Sequence, residues 1–85
     1  MNSQLTYEEL SGLMRSSAGV RVEQATLERD PETPFAEYGL DSLGLLGIIG
    51  ELENRRGTSI AGDVDGCRTP HAFVDAVNAS LAKGA

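Results

Sequence analysis

The sequence predicts an all-α fold: a small bundle of three main helices plus one short helix, with a long loop between the first two main helices. Three observations point there. Only four residues are aromatic (Tyr7, Phe35, Tyr38 and Phe73), so Leu, Ile, Val and Ala must fill the core, a palette that favours helices over packed sheets. Apolar residues recur at helical spacing in three separate segments. Each of those segments also begins at a residue suited to capping a helix N-terminus. A chain of 85 residues has room for one core, so residues 1–85 are read as a single domain.

The first helix is expected from about residue 6 to 18. "TYEEL" offers Thr6 as N-cap with Glu9 three residues on, a capping box, and Leu5 as a staple before it. Leu10, Leu13 and Met14 follow at helical spacing, and Gly19 suits the stop. Residues 20–38 hold Pro31 and Pro34 and no sustained period, so they read as a loop pinned to the core by Val20, Val22, Leu27 and Phe35.

The next helix should start at Asp41 or Ser42 and end near Arg56. Asp and Ser both cap well, Arg55 and Arg56 complement the negative end of the helix dipole, and Gly57 follows as a stop. Glu51 and Arg55 make a favourable i,i+4 pair. The connector "TSIAGDVDGCRTP" carries Ile60 and Val64 as apolar anchors, with room for one short helical turn. Thr69 as N-cap and Pro70 at the first position open the last helix, whose apolar stripe is Phe73, Val74, Val77 and Leu81, with Gly84 near its end.

Charge narrows the functional classes. The net charge of −6 makes nucleic acid an improbable partner, because phosphates would be repelled. Residues 28–53 hold seven acids against Arg29 alone, while acids and bases cancel elsewhere. That segment is either a solubilising surface or a docking surface for basic partners. No apolar run reaches the ~18–20 residues that span a bilayer. The start "MNSQLTYEEL" lacks a basic flank and an apolar signal core. The lone Cys67 fits a reducing compartment. A soluble cytoplasmic monomer is the expectation.

Catalytic and metal sites fare poorly. A calcium loop placed on Gly66 would put its first and last ligands at Ala61 and Ala72, which cannot bind the ion. One Cys and one His cannot complete a zinc site. Ser42 lacks the preceding glycine of a hydrolase elbow, with Leu40 standing there, and 85 residues cannot build the sheet that motif needs. The single His71 reads as an exposed helical histidine. The chain is therefore not expected to be an enzyme.

A serine at a helix N-terminus has another use: free N–H groups and the dipole's positive end favour a phosphate. Its plain alternative is a simple N-cap. The helical projection of residues 43–54 gathers Leu45, Ile48, Ile49 and Leu52 on one side as the core stripe. Leu43 and Leu46 fall on another face with Gly47, Gly50, Glu53 and Asn54, which suits a partner-binding surface. Gly44, Gly47 and Gly50 each cost the helix about 0.8–1 kcal/mol relative to alanine.

With "GLDSL" at 39–43, the apolar helix behind it, Leu52-Glu53, the preceding Phe35, the Ile60 region and "TP" before the last helix, the sequence resembles the acyl carrier proteins. The resemblance implies a four-helix bundle whose Ser42 carries 4′-phosphopantetheine, installed from coenzyme A by a magnesium-using phosphopantetheinyl transferase. It implies a terminal thiol that holds acyl or polyketide cargo as thioesters. Asp41 and Glu37 would help partners dock, with Leu43, Leu46, Gly47, Gly50 and Glu53 lining the docking helix, while Leu45, Ile48 and Leu52 would shelter the acyl chain. The partners implied are the transferase and the ketosynthase, acyltransferase and tailoring enzymes of a synthase.

Within the family, a chain beginning at Met1 looks like a discrete, type II carrier. "SSAG", the long first loop and "TSIAGDV" resemble bacterial aromatic polyketide carriers. Fatty acid synthase carriers usually place acids where Gly44 and Gly47 stand, and peptidyl carriers usually show Gly-Gly where Leu40-Asp41 stands. A fatty acid carrier and an acidic helical interaction module, with Ser42 a mere cap, are the alternatives.

Overall fold

The computed structural model describes residues 4–60 and 62–83 and is helical throughout, with no strand among the described residues. Met1, Ala61 and Gly84, invoked above from the sequence, lie outside them. Four α-helices run in the order α1 (Tyr7–Ala18), α2 (Gln24–Arg29), α3 (Ser42–Arg56) and α4 (Pro70–Lys83). Two 3₁₀ turns, Phe35–Tyr38 and Gly62–Gly66, flank α3 in the chain.

α1 begins where its cap dictates: Thr6 Oγ1 accepts from the Glu9 N–H at 3.2 Å. Its end is a left-handed Gly19 (φ 70°), which turns the chain so that the Val20 N–H reaches the Met14 carbonyl at 2.8 Å. The other half of the expected capping box does not form. The Glu9 carboxylate instead receives both Arg56 Nη2 (2.6 Å) and Nη1 (3.0 Å), with Arg55 Nη1 at 3.4 Å. A charge-assisted, two-pronged bond outcompetes a single bond to a backbone N–H. It fastens the first turn of α1 to the last turn of α3.

The expected loop over 20–38 is also corrected, because α2 and the Phe35–Tyr38 turn lie inside it. α2 is a six-residue helix without a side-chain cap, held down by the fully buried Leu27 and by its packing against α1. The short helical turn expected in the connector is present as Gly62–Gly66, with Ile60 and Val64 buried as anchors.

α4 starts as its sequence says, with Thr69 Oγ1 accepting from the Ala72 N–H at 3.2 Å and Pro70 in first position. Asn78 in α4 then ties down the N-terminal segment, taking the Leu5 N–H at 2.6 Å and donating to the Leu5 carbonyl at 3.1 Å.

The core is apolar throughout, with no buried polar or charged residue among the described residues. Leu10, Leu13 and Met14 of α1 meet Ile48 and Leu52 of α3 and Phe73 and Val77 of α4. Phe35 and Phe73 pack edge to face, ring centroids 5.9 Å apart at 84°. Two backbone bonds reinforce that contact: Phe35 N–H to the Arg68 carbonyl (2.7 Å) and His71 N–H to the Pro31 carbonyl (2.9 Å).

The Arg56 guanidinium holds the Glu9 carboxyl below the ordinary carboxylate range, outweighing the opposing effect of burial. A depressed folded-state pKa contributes stability that is complete above the unfolded value, about 4.3, and fades as pH falls through the folded one. Glu9→Gln is expected to lower stability by roughly 1–3 kcal/mol at pH 7. In urea unfolding, the gap between wild type and Glu9→Gln should narrow progressively as pH falls below about 4.3.

Candidate functional site

Ser42 and Asp41 share the start of α3 but do different work. Asp41 is the cap: its Oδ1 accepts the Gly44 N–H at 2.8 Å, and its carbonyl accepts the Leu45 N–H at 3.0 Å. Ser42 is therefore the first helical residue, exposed, with a hydroxyl that has no protein partner among the described residues. The two N–H groups ahead of Gly44 have no intrahelical acceptor, so an anion attached at Ser42 meets the positive end of the helix.

Beside Ser42 opens a cleft of about 520 Å³, bounded by the Phe35–Tyr38 turn, the first turn of α3 and residues 65–68. Buried Phe35, Leu40 and Leu45 give it apolar walls, and exposed Asp41, Ser42 and Arg68 stand among its polar lining. The Phe35 N–H to Arg68 carbonyl bond crosses from one wall to the other. His71 does not line it. Its Nδ1 lies 2.9 Å from Glu32 and its Nε2 3.2 Å from Asp75, so the cleft contains no imidazole to act as a base on Ser42. A serine hydroxyl with no activating imidazole beside it is a poor nucleophile by itself.

The expected acyl shelter is brought together only in part. Leu45 lines the cleft, whereas Ile48 and Leu52 are fully buried among the core side chains and do not. Phe35 and Leu40 line it in their place, and Leu40 went unrecognised in the sequence. Its only signal is that an apolar residue follows Gly39, whose φ of 83° folds the chain back at the end of the 3₁₀ turn.

The outward face of α3 is as expected for Leu43 (75% exposed) and Leu46 (48%), the large apolar side chains left in solvent among the described residues. Gly47, Gly50, Glu37 and Asp41 are exposed too. Glu53 departs from that set: it is half-buried, and its carboxylate accepts the Ile60 N–H at 2.8 Å, so it braces the connector after α3. Ile49, placed in the core stripe from the sequence, sits half-buried at its edge.

The glycines of α3 separate into two kinds. A Cβ on Gly44 would lie 2.8 Å from Leu40 Cδ1 and 3.2 Å from Ala18 Cβ, so Gly44 lets the first turn of α3 approach the last turn of α1. At Gly47 the nearest atom, the Ser17 carbonyl oxygen, would be at an ordinary 3.5 Å, and at Gly50 nothing lies within 4 Å.

The phosphopantetheine-attachment family, described as "Phosphopantetheine attachment site", matches residues 8–77. The chain is 51% identical over 90 aligned residues to the curamycin polyketide synthase acyl carrier protein of Streptomyces cyaneus, covering 98% of this chain and 94% of that one. Its structure is similar to the actinorhodin holo acyl carrier protein from S. coelicolor (TM-score 0.78, 32% identity, both chains fully covered). It is also similar to a solution structure of the 3,5-dioxohexyl form, a triketide mimic, of the actinorhodin synthase carrier from Streptomyces coelicolor (TM-score 0.79, 36% identity, full coverage of both).

The contrast between glycines gives a test of the local packing. Gly50→Ala is expected to raise stability by about 0.8–1 kcal/mol, the full difference in helix propensity. Gly44→Ala should return none of that gain, because Leu40 and Ala18 must move apart. Thermal unfolding of the two variants side by side decides the matter, and equal stabilisation would contradict the close approach.

Proposed function

The chain belongs to the acyl carrier proteins of the phosphopantetheine-attachment family, and from that premise we propose that Ser42 carries the 4′-phosphopantetheine arm of a type II polyketide synthase carrier. The observation that carries the assignment is the free, exposed Ser42 hydroxyl at the mouth of the cleft, with the capping duty taken by Asp41. When bound, the arm supplies a terminal thiol that holds acyl and polyketide groups as thioesters. The residues present fit such a group: a serine on the first helical turn offers N–H dipoles to a phosphate, and an apolar-walled cleft adjoins it.

Three further roles follow. A phosphopantetheinyl transferase modifies Ser42, supplying the catalytic groups for the transfer. Leu43, Leu46, Gly47 and Gly50, flanked by Asp41 and Glu37, form the face on which transferase, ketosynthase, acyltransferase and tailoring enzymes dock. Leu45, with Phe35 and Leu40, shelters the part of the cargo nearest the arm. The chain works in the cytoplasm, in keeping with a single cysteine and with no described helix long and apolar enough to cross a membrane.

Incubation with coenzyme A, magnesium and a broad-specificity transferase should add one phosphopantetheine, read as intact mass, and Ser42→Ala should abolish it. An adduct that persists in Ser42→Ala would refute the assignment.

Docking makes a separate prediction. Charge reversal at Glu37 or Asp41 should slow modification several-fold more than reversal at Asp75 on α4, and raising the salt should narrow the gap. Asp41→Lys also removes the cap, at a cost of about 0.5–2 kcal/mol, so Asp41→Asn, which caps without charge, separates the two effects.

A further inference from the structure

We propose that the Arg68 guanidinium holds the phosphodiester of the Ser42-linked arm, and so lays the arm along the Phe35–Leu40–Leu45 wall of the cleft. This rests on Ser42 being the attachment point. Arg68 is the sole basic residue among those lining the cleft that Ser42 also lines. Its backbone is fixed opposite the Phe35–Tyr38 turn by the 2.7 Å bond from the Phe35 N–H. Arg29, Arg55 and Arg56 pair with carboxylates, whereas the exposed Arg68 side chain has no such partner among the described residues.

Local charge makes that free cation the natural partner of an attached anion. Asp41 and Asp65 line the same cleft, so a phosphodiester on Ser42 enters a site that already holds two carboxylates and one guanidinium. The helix dipole favours the phosphate over one turn only, and the two acids oppose it. A guanidinium matches phosphate oxygens with two parallel N–H donors, a geometry a point charge lacks. With Arg68 lining the cleft, that contact draws the arm over it rather than out along the exposed Leu43 side.

NMR of the apo and holo forms tests this, with phosphorus detection and Arg side-chain N–H detection. On conversion to holo, the Arg68 Nε–H signal should move while that of Arg29 stays in place. In Arg68→Gln the phosphorus resonance should shift. Contacts from the arm to Phe35 and Leu45 should weaken roughly two- to five-fold, the size of an exposed ion pair. Arg68→Lys should restore part of them, and high salt should shrink the difference between wild type and Arg68→Gln. Unchanged phosphorus signals and arm contacts in Arg68→Gln would overturn the proposal. So would an Arg68 response that appears only once a β-ketoacyl group is loaded, which would assign the guanidinium to cargo oxygens. Intact mass keeps the two readings apart. An arm on Ser42 with unchanged spectra defeats the Arg68 assignment alone, while no arm on wild-type Ser42 defeats both.

Discussion

The hydrogen bond from the Gly44 N–H to Asp41 Oδ1 governs how α3 is used. A helix start needs a side-chain acceptor, and two candidates stand side by side. Had Ser42 been the cap, its hydroxyl would be committed to the backbone. With Asp41 in that place, the helix is capped, the hydroxyl is free, and the carboxylate still faces solvent beside it. The same bond sets Gly44 in the first turn, where its missing side chain lets α3 close on Ala18 and Leu40. One interaction thus leaves the Ser42 hydroxyl free, sets the helix start and brings two helices together.

Around that point the bundle is held by a few contacts between segments far apart in the chain. Glu9 with Arg56 and Leu5 with Asn78 each join positions separated by about half the chain or more. Phe35 on Phe73, with backbone bonds at 35–68 and 71–31, fastens the segment before α3 to the start of α4. Backbone bonds do not depend on which side chains are present. These bonds therefore hold the walls of the cleft together whichever side chains line it.

Much of this was legible because helix ends are written locally. Thr6 and Gly19, Asp41 and Gly57, and Thr69 with Pro70 all mark their boundaries as the sequence reads. The outward Leu43 and Leu46 were legible too, since periodicity separates them from Leu45, Ile48 and Leu52. What escaped depends on distant neighbours. α2 offers one buried residue and no side-chain cap, too little for a period to show. Glu9 has a local role written in its spacing, and Arg56, 47 residues away, overrides it. Glu53 looks like surface on a helical wheel until the connector brings the Ile60 N–H to it. Gly44 and Gly50 are alike in sequence, and only the neighbours of Gly44 tell them apart.

The glycines also show why α3 is built against helix propensity. The inner face of α3 completes the core while its outer face lies in solvent, and the helix carries leucines on both. Leu45, Ile48 and Leu52 commit it firmly to the core, and tertiary packing supplies what propensity withholds. Gly44 is needed for that packing. Gly50, and largely Gly47, are not, since each has space for a methyl group. Their cost falls on the fold, while the space they leave lies beside the exposed Leu43 and Leu46. The propensity cost of Gly44 is required by packing inside the bundle, whereas that of Gly47 and Gly50 is not. This is the pattern expected of an outer face shaped by access rather than by folding.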